Sequence, residues 1–263
     1  MDDFLHRTMR TLLDRGILKR TDEILAVCAA RYDYGMFRKL GFERVTITNL
    51  DERVPPDEFA PYGWQHEDAQ TLSFADKSFD FCFVHAGLHH CASPHLALMQ
   101  LYRVARRGVI VFEARDSWTM RLAASIGLVT TYELEAVVRN DFRFGGVNNT
   151  AVPNFVYRWT EREFKKTIWT LDPTGKQRFL FFHGLRLPFL FAGMSKSRWK
   201  VIALHLVRPF VSAFTFVFKS QMNHFAMIAL KPTQLWPWLE VGDDGLQLSR
   251  QYALERLKEH KPG

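Results

Sequence analysis

The 263-residue chain has only three cysteines, Cys28, Cys82 and Cys91, and no CxxC spacing. A set so sparse and odd excludes a disulfide scaffold and a structural zinc ribbon. The N-terminus, MDDFLHRTMR, lacks the basic-then-apolar pattern of a secretory signal, so a reducing, cytoplasmic setting is expected. There is no internal repeat or low-complexity tract. With 47% hydrophobic and 24% charged residues, the chain is neither disordered nor a coiled coil as a whole. It also lacks a clean membrane span: the most apolar stretch, 197–218, is interrupted by Arg198, Lys200 and Arg208 and carries Pro209 near its middle.

The most informative absence is acidity. Between Asp172 and Glu240 there is no Asp or Glu, while nine Lys and Arg fall there, a local charge of +9. The whole chain carries +7, so the remainder is 7 − 9 = −2. The basicity belongs to one segment. Within it, 197–218 combines apolar bulk and Trp199 with basic residues. It reads as a core or dimer helix pair kinked at Pro209, or as an interfacial helix on an anionic membrane surface. A nucleic-acid groove ranks last, because continuous apolar runs suit it poorly.

The first half alternates short apolar runs with helical patterns. Strands are expected at 24–28 (ILAVC), 44–48 (RVTIT), near 64–67, at 79–85 (FDFCFVH) and at 108–113 (GVIVFE). Helices are expected at 33–40, ended by Gly41, and at 94–106, with Ser93 as N-cap and Pro94 in the first turn. Such alternation implies right-handed crossovers, a parallel sheet and ligands at the carboxyl ends of its strands. Further on, Thr160 and Glu163 form a capping box before a helix to about 169, and 224–230 (HFAMIAL) returns to strand character. A polar helix is expected at 248–258.

Asp68-Ala69-Gln70-Thr71-Leu72-Ser73-Phe74-Ala75-Asp76-Lys77-Ser78-Phe79-Asp80 is followed by Leu88-His89-His90, then by Leu101-Tyr102-Arg103-Val104 and Arg107-Gly108. This order resembles the motifs "D-A-x-x-L-P-F-x-D-x-S-F-D", "L-H-H" and "L-x-R-V-L-K-P-G-G" of class I S-adenosylmethionine-dependent methyltransferases, of the small-molecule "methyltransferase type 11"-like family. The resemblance covers 20–115 and 224–232. It implies an α/β, Rossmann-like fold: a mostly parallel seven-stranded sheet with helices on both faces. Residues 20–117 and 223–232 would be the cofactor-binding core of a single domain spanning 1–263, and 118–222 a helical, aromatic substrate-side cap.

The resemblance also implies roles. The turn after the first strand, here Cys28, Ala29, Ala30, Asp33 and Gly35, would pass beneath the methionine part of S-adenosylmethionine. Asn49 or Asp51 would bind the ribose, Asp68–Ala69 would reach the adenine, and His85 would close the site at the end of strand four. Two departures stand out. The usual "D-x-G-x-G-x-G" turn is replaced by Cys28-Ala29-Ala30, and Asn49 occupies the usual acidic position. Alanine fits such a turn only at negative φ; otherwise it costs about 1–2 kcal/mol. Asp33 is the candidate partner for the cofactor's ammonium.

An alcohol acceptor needs a general base, and His89 and His90, with His90 favoured, are the candidates. Glu113 and Asp116, after strand five, could orient the base or bind a substrate hydroxyl. Arg115, Asn148, Asn149 and Tyr157 are candidate acceptor contacts, the amides and aromatic ring suiting a sugar. His85, His89, His90, Cys91 and His95 crowd into eleven residues, yet no metal site is expected; magnesium is left open. The expectation is therefore a methyltransferase acting on a hydroxyl of a sugar, glycan or other small metabolite, the acceptor free or lipid-linked. Peripheral membrane contact through 197–218 and homodimerisation are open. The alternative is a catalytically degenerate fold that binds a membrane or a partner.

Overall fold

The computed structural model describes residues 4–55, 57–185 and 198–259. Seven strands form one sheet: β1 (Glu23–Val27), β2 (Arg44–Asn49), β3 (Gly63–His66), β4 (Phe79–His85), β5 (Ala105–Ala114), β6 (Arg178–Gly184) and β7 (His224–Leu230). Their order is β3-β2-β1-β4-β5-β7-β6. The first five are parallel, and β7 runs antiparallel between β5 and β6. The order reverses between β1 and β4, so a crevice opens there at the strand carboxyl ends.

Alternate residues of the central strands feed two cores. Ile24, Ala26, Phe81, Phe83, Ile110 and Phe112 pack with α1 (Phe4–Asp14) and α2 (Arg31–Leu40) on one face. Leu25, Val27, Cys82, Val84, Val109 and Val111 pack with α3 (Pro94–Val104) and α6 (Glu161–Leu171) on the other. Burial on both faces explains why these strands read as unbroken apolar runs.

The local signals act as their chemistry requires. Gly41 closes α2 in the left-handed region, at φ 75°. The Ser93 hydroxyl accepts from the Leu96 N–H at 3.3 Å. Thr160 and Glu163 form the reciprocal cap of α6. Arg103 of the "L-x-R-V" motif donates to the Leu72 and Phe74 carbonyls and pairs with Asp76, tying α3 to the loop that carries Asp68.

The remainder comprises α4 (Trp118–Ser125), α5 (Leu134–Val138), α7 (Arg198–Val217), the hairpin β8 (Leu239–Gly242) and β9 (Gly245–Leu248), and α8 (Arg250–Glu259). One difference from the sequence reading concerns this half. Strand β6 lies inside the stretch assigned to the cap, yet it is the sheet's edge, paired with β7 from Arg178 to Gly184; its aromatic, unalternating run hides a strand. The helix α7 does contain Pro209, and among its described side chains only Thr215 is buried. Arg186, Lys196 and Ser197 of the basic segment lie outside the described residues.

Candidate active site

A cavity of about 360 Å³ occupies the crevice, lined by Cys28 and Ala30 after β1, Asn49 to Asp51 after β2, Asp68 and Ala69 after β3, and Gly87, His90 and Cys91 after β4. Ala136, Asn140 and residues 145–149 close it from above.

The glycine-poor turn is accommodated by conformation. Ala30 is extended (φ −136°), and the left-handed residue is Cys28, at φ 52°. The space a glycine would give comes from the neighbouring strand instead. A Cβ on Gly87 would lie 2.5 Å from the Cys28 Cβ, so the two loops touch backbone to side chain. Asp33 and Gly35 do not line the cavity. One Asp33 oxygen accepts from the Ala30 N–H at 3.0 Å and the other meets His85 Nδ1 at 2.8 Å; the carboxylate is spent on capping α2 and holding His85. His85 is therefore a prop rather than a wall, and buried Ala29 lies behind the cavity, its N–H bonded to the Thr48 carbonyl. Gly35 sits on the exposed side of α2, where a Cβ would meet nothing within 4 Å. Gly35→Ala is thus expected to stabilise the protein by about 0.5–1 kcal/mol, read by urea unfolding, with ligand binding unchanged.

Asn49 bridges the first two loops: its amide donates to the Ala29 carbonyl at 3.0 Å, and its oxygen accepts from the Asp51 N–H. Asp51 supplies the missing charge at the cavity. The Arg53 guanidinium grips it at 2.7 Å through two nitrogens and keeps it ionised below the usual carboxylate range. Asp68 turns the third loop by accepting from the Gln70 N–H at 2.8 Å.

Asn148 and Asn149, both in the left-handed region, serve as latches. The Asn148 oxygen accepts from Gln70 Nε2 and from the Ala92 N–H, while Asn149 contacts the Leu50 carbonyl at 3.4 Å. They fasten the 145–149 segment over the cavity while both still line it.

The histidines separate sharply. His89 is buried with its Nδ1 2.7 Å from Glu113 Oε2 and its Nε2 3.3 Å from Glu133 Oε2. Burial alone would lower its pKa, but the two carboxylates outweigh burial and push it up to about 10. Glu113 is fully engaged, since its other oxygen accepts from the Leu88 N–H at 2.7 Å. Glu133 is held ionised, down to about 2, chiefly by its bond to His89. His90 lines the cavity, and burial followed by the charge on His89 pulls its pKa down. Of the two, His90 is the neutral one.

The remaining candidates do not reach the cavity. Arg115 is buried and bidentate to Glu161, which also takes His183 at 2.9 Å. Asp116 pairs with Arg121 at 2.9 Å. Tyr157 donates to Glu163 and stacks edge-on with Trp159, as core. Against the cost of burial, His183 and Arg115 hold Glu161 ionised, down to about 2. Its folded value lies below the ordinary 4.5, so it stabilises the fold fully above that pH and progressively less as pH falls toward 2. Glu161→Gln should flatten the acid limb of stability between about pH 4.5 and 2, measured by unfolding at stepped pH.

Several site residues escape sequence reasoning. Gln70 was hidden at a variable position of a recognised motif. Arg53 and Asn140 carry no local signal. Glu133 lies in the presumed cap, 43 residues from His90, in no motif. The cluster of five possible ligands divides: His85 goes to Asp33 and His95 to Glu163, while His89 and His90 converge on Glu133.

The strand order, with an antiparallel seventh strand inserted beside the fifth, is that of the class I S-adenosylmethionine-dependent methyltransferases. Residues 30–112 match the family described as "Methyltransferase domain". The chain resembles the YcgJ protein of Bacillus subtilis (12% identity, 87% of this chain, 100% of that one, TM-score 0.52). It also resembles a candidate methyltransferase of Bacillus halodurans (14%, 86% and 99%, 0.50) and the [4+2]-cyclase SpnF (14%, 87% and 82%, 0.52). At such identities the likeness is one of fold. No curated protein sequence matches the chain.

The cavity suits S-adenosylmethionine. Its volume lies in the range of small-molecule sites, Gly87 lets the loops after β1 and β4 meet at its base, and Asp51 and Asp68 give a cationic ligand an acidic wall.

Proposed function

We propose that the protein transfers a methyl group from S-adenosylmethionine to a hydroxyl of a small acceptor, with His90 as general base. The observation that carries this reading is the position of His90: its imidazole lines the cavity wall with Glu133 Oε2 3.5 Å from Nε2, and burial and the neighbouring His89 lower its pKa.

When bound, S-adenosylmethionine supplies an electrophilic methyl on a sulfonium. Asp51 is suited to the ribose hydroxyls, Asp68 and Ala69 to the adenine, and the Gln70–Asn148 latch to excluding water above them. The acceptor hydroxyl gives its proton to His90 Nε2 as it attacks. Glu133 Oε2, 3.5 Å from that nitrogen, stabilises the imidazolium that forms. Glu113 and His89 act as positioning residues that hold Glu133 and His90 in place.

A saccharide is the favoured acceptor. Tyr132 and Phe155 form an exposed aromatic pair, with ring centroids 5.7 Å apart, next in sequence to Glu133. Such a wall suits a sugar ring presented to His90. Methyl transfer from labelled cofactor to a panel of glycans, hydroxylated small molecules, quinone-like compounds and RNA tests the reading. Labelling of hydroxyl acceptors is expected; activity restricted to quinone-like or RNA acceptors would overturn it.

A second observation favours a lipid-linked acceptor and peripheral membrane contact. Phe210 and Phe216 of α7 are each 76% exposed, on a segment without acidic residues. No described helix is long and apolar enough to cross a membrane. Co-sedimentation with phosphatidylglycerol vesicles but not phosphatidylcholine vesicles is the expected outcome; sedimentation with neither would remove the contact.

A further inference from the structure

We propose that His89, His90 and Glu133 form a binding site for a divalent transition-metal ion of the zinc class. The three donor atoms lie within 4.8 Å of one another. Glu133 Oε2 is 3.3 Å from His89 Nε2 and 3.5 Å from His90 Nε2. Tetrahedral ligands at metal–ligand distances of about 2.0–2.1 Å are separated from one another by about 3.3–3.4 Å, close to the separation that Glu133 Oε2 already keeps from each imidazole nitrogen.

The surroundings point the same way. Glu113 holds His89 Nδ1 at 2.7 Å, the carboxylate–imidazole arrangement that fixes a ligating ring and aims its other nitrogen at the metal. An incoming ion displaces the Nε2 proton of His89 to solvent, after which Glu113 and Glu133 with two neutral imidazoles balance a charge of +2. Two nitrogen donors and one oxygen select zinc, cobalt or nickel over magnesium or calcium, which take oxygen. Three protein ligands leave a fourth position, and His90 and Glu133 are 30% and 36% exposed, so a water or an acceptor oxygen can reach it.

The ligands are assembled by the fold, not by a motif. A short 3-10 turn after β4 (Leu88–His90) presents both imidazoles, and Glu133 arrives from the residue before α5. Binding stands independently of the methyl-transfer reading. One consequence rests on that reading: an ion takes the Nε2 lone pair of His90, so metal loading competes with its role as base.

The test is titration of the metal-stripped full chain with Co(II), followed by visible absorption, without cofactor or acceptor. One equivalent should bind with the intense spectrum of four-coordinate cobalt, and Zn(II) should displace it. Glu133→Gln and His90→Asn should each weaken binding at least tenfold, and Glu113→Gln about 10–100-fold by loosening His89. Unfolding midpoints within a few degrees of the native protein's establish that Glu133→Gln and His90→Asn still fold. No saturable binding up to about 1 mM, or binding unchanged in both folded variants and so seated elsewhere, such as at Cys28 and Cys91, would overturn the proposal. The titration uses neither cofactor nor acceptor, so failure of methyl transfer would leave the metal site standing, and absence of metal binding would leave His90 free as a base.

Discussion

Replacing His90 by asparagine is expected to lower kcat about 10²–10⁴-fold, the usual contribution of a positioned general base, while cofactor affinity changes less than tenfold. The split matters more than the size. His90 touches the cavity wall, so a merely structural role would weaken cofactor binding together with turnover. Steady-state kinetics with the acceptor found in the panel, alongside direct cofactor titration, separates the two. A parallel fall in kcat and cofactor affinity would mean that the ring packs rather than reacts. His89→Asn should behave differently. Its imidazole is buried and charged between two carboxylates, so its loss should lower stability as well as activity.

The second large effect belongs to Glu113. Its carboxylate is buried and holds the Leu88 N–H and His89 at 2.7 Å each. Glu113→Ala strands a buried imidazolium and a backbone donor, and should cost about 3–5 kcal/mol, a fall in Tm on the order of 10 °C. Glu113→Gln keeps an acceptor for one of the two partners and should lose less than half as much. Thermal and urea unfolding of the pair measure the difference. Equal losses would show that volume, not the hydrogen-bonded charge, is what the site needs.

The contrast between these residues and the rest explains what the sequence disclosed. The central strands β1, β4 and β5 were legible because burial on both faces makes them largely apolar, β2 because its residues are β-branched, and α3 because Ser93 and Pro94 announce its start. The motifs around Asp68 and Arg103 were legible for a similar local reason, since Arg103 must reach three acceptors on one short loop. The site itself is built differently. Asp33, Arg115 and Tyr157 are polar residues in suggestive places whose partners, His85, Glu161 and Glu163, arrive from elsewhere and consume them. Asn49 was read as a weakened ribose ligand, but its amide is what holds the first two loops together, leaving Asp51 to carry the charge. Conversely Glu133, with no pattern around it, joins His89 and His90 only after the chain has passed through β5 and α4. Spacing reports what neighbours along the chain can do; it is silent on convergence across 43 residues.

The central claim, that the glycine-poor crevice still binds S-adenosylmethionine, is tested most directly by calorimetric titration of the native protein and of Asp51→Ala with the cofactor and its demethylated product. Micromolar binding with one site per chain, weakened at least tenfold by Asp51→Ala, is the predicted result. No binding of either compound up to about 1 mM, weaker than about −4 kcal/mol, would contradict it and leave a methyltransferase fold without its cofactor.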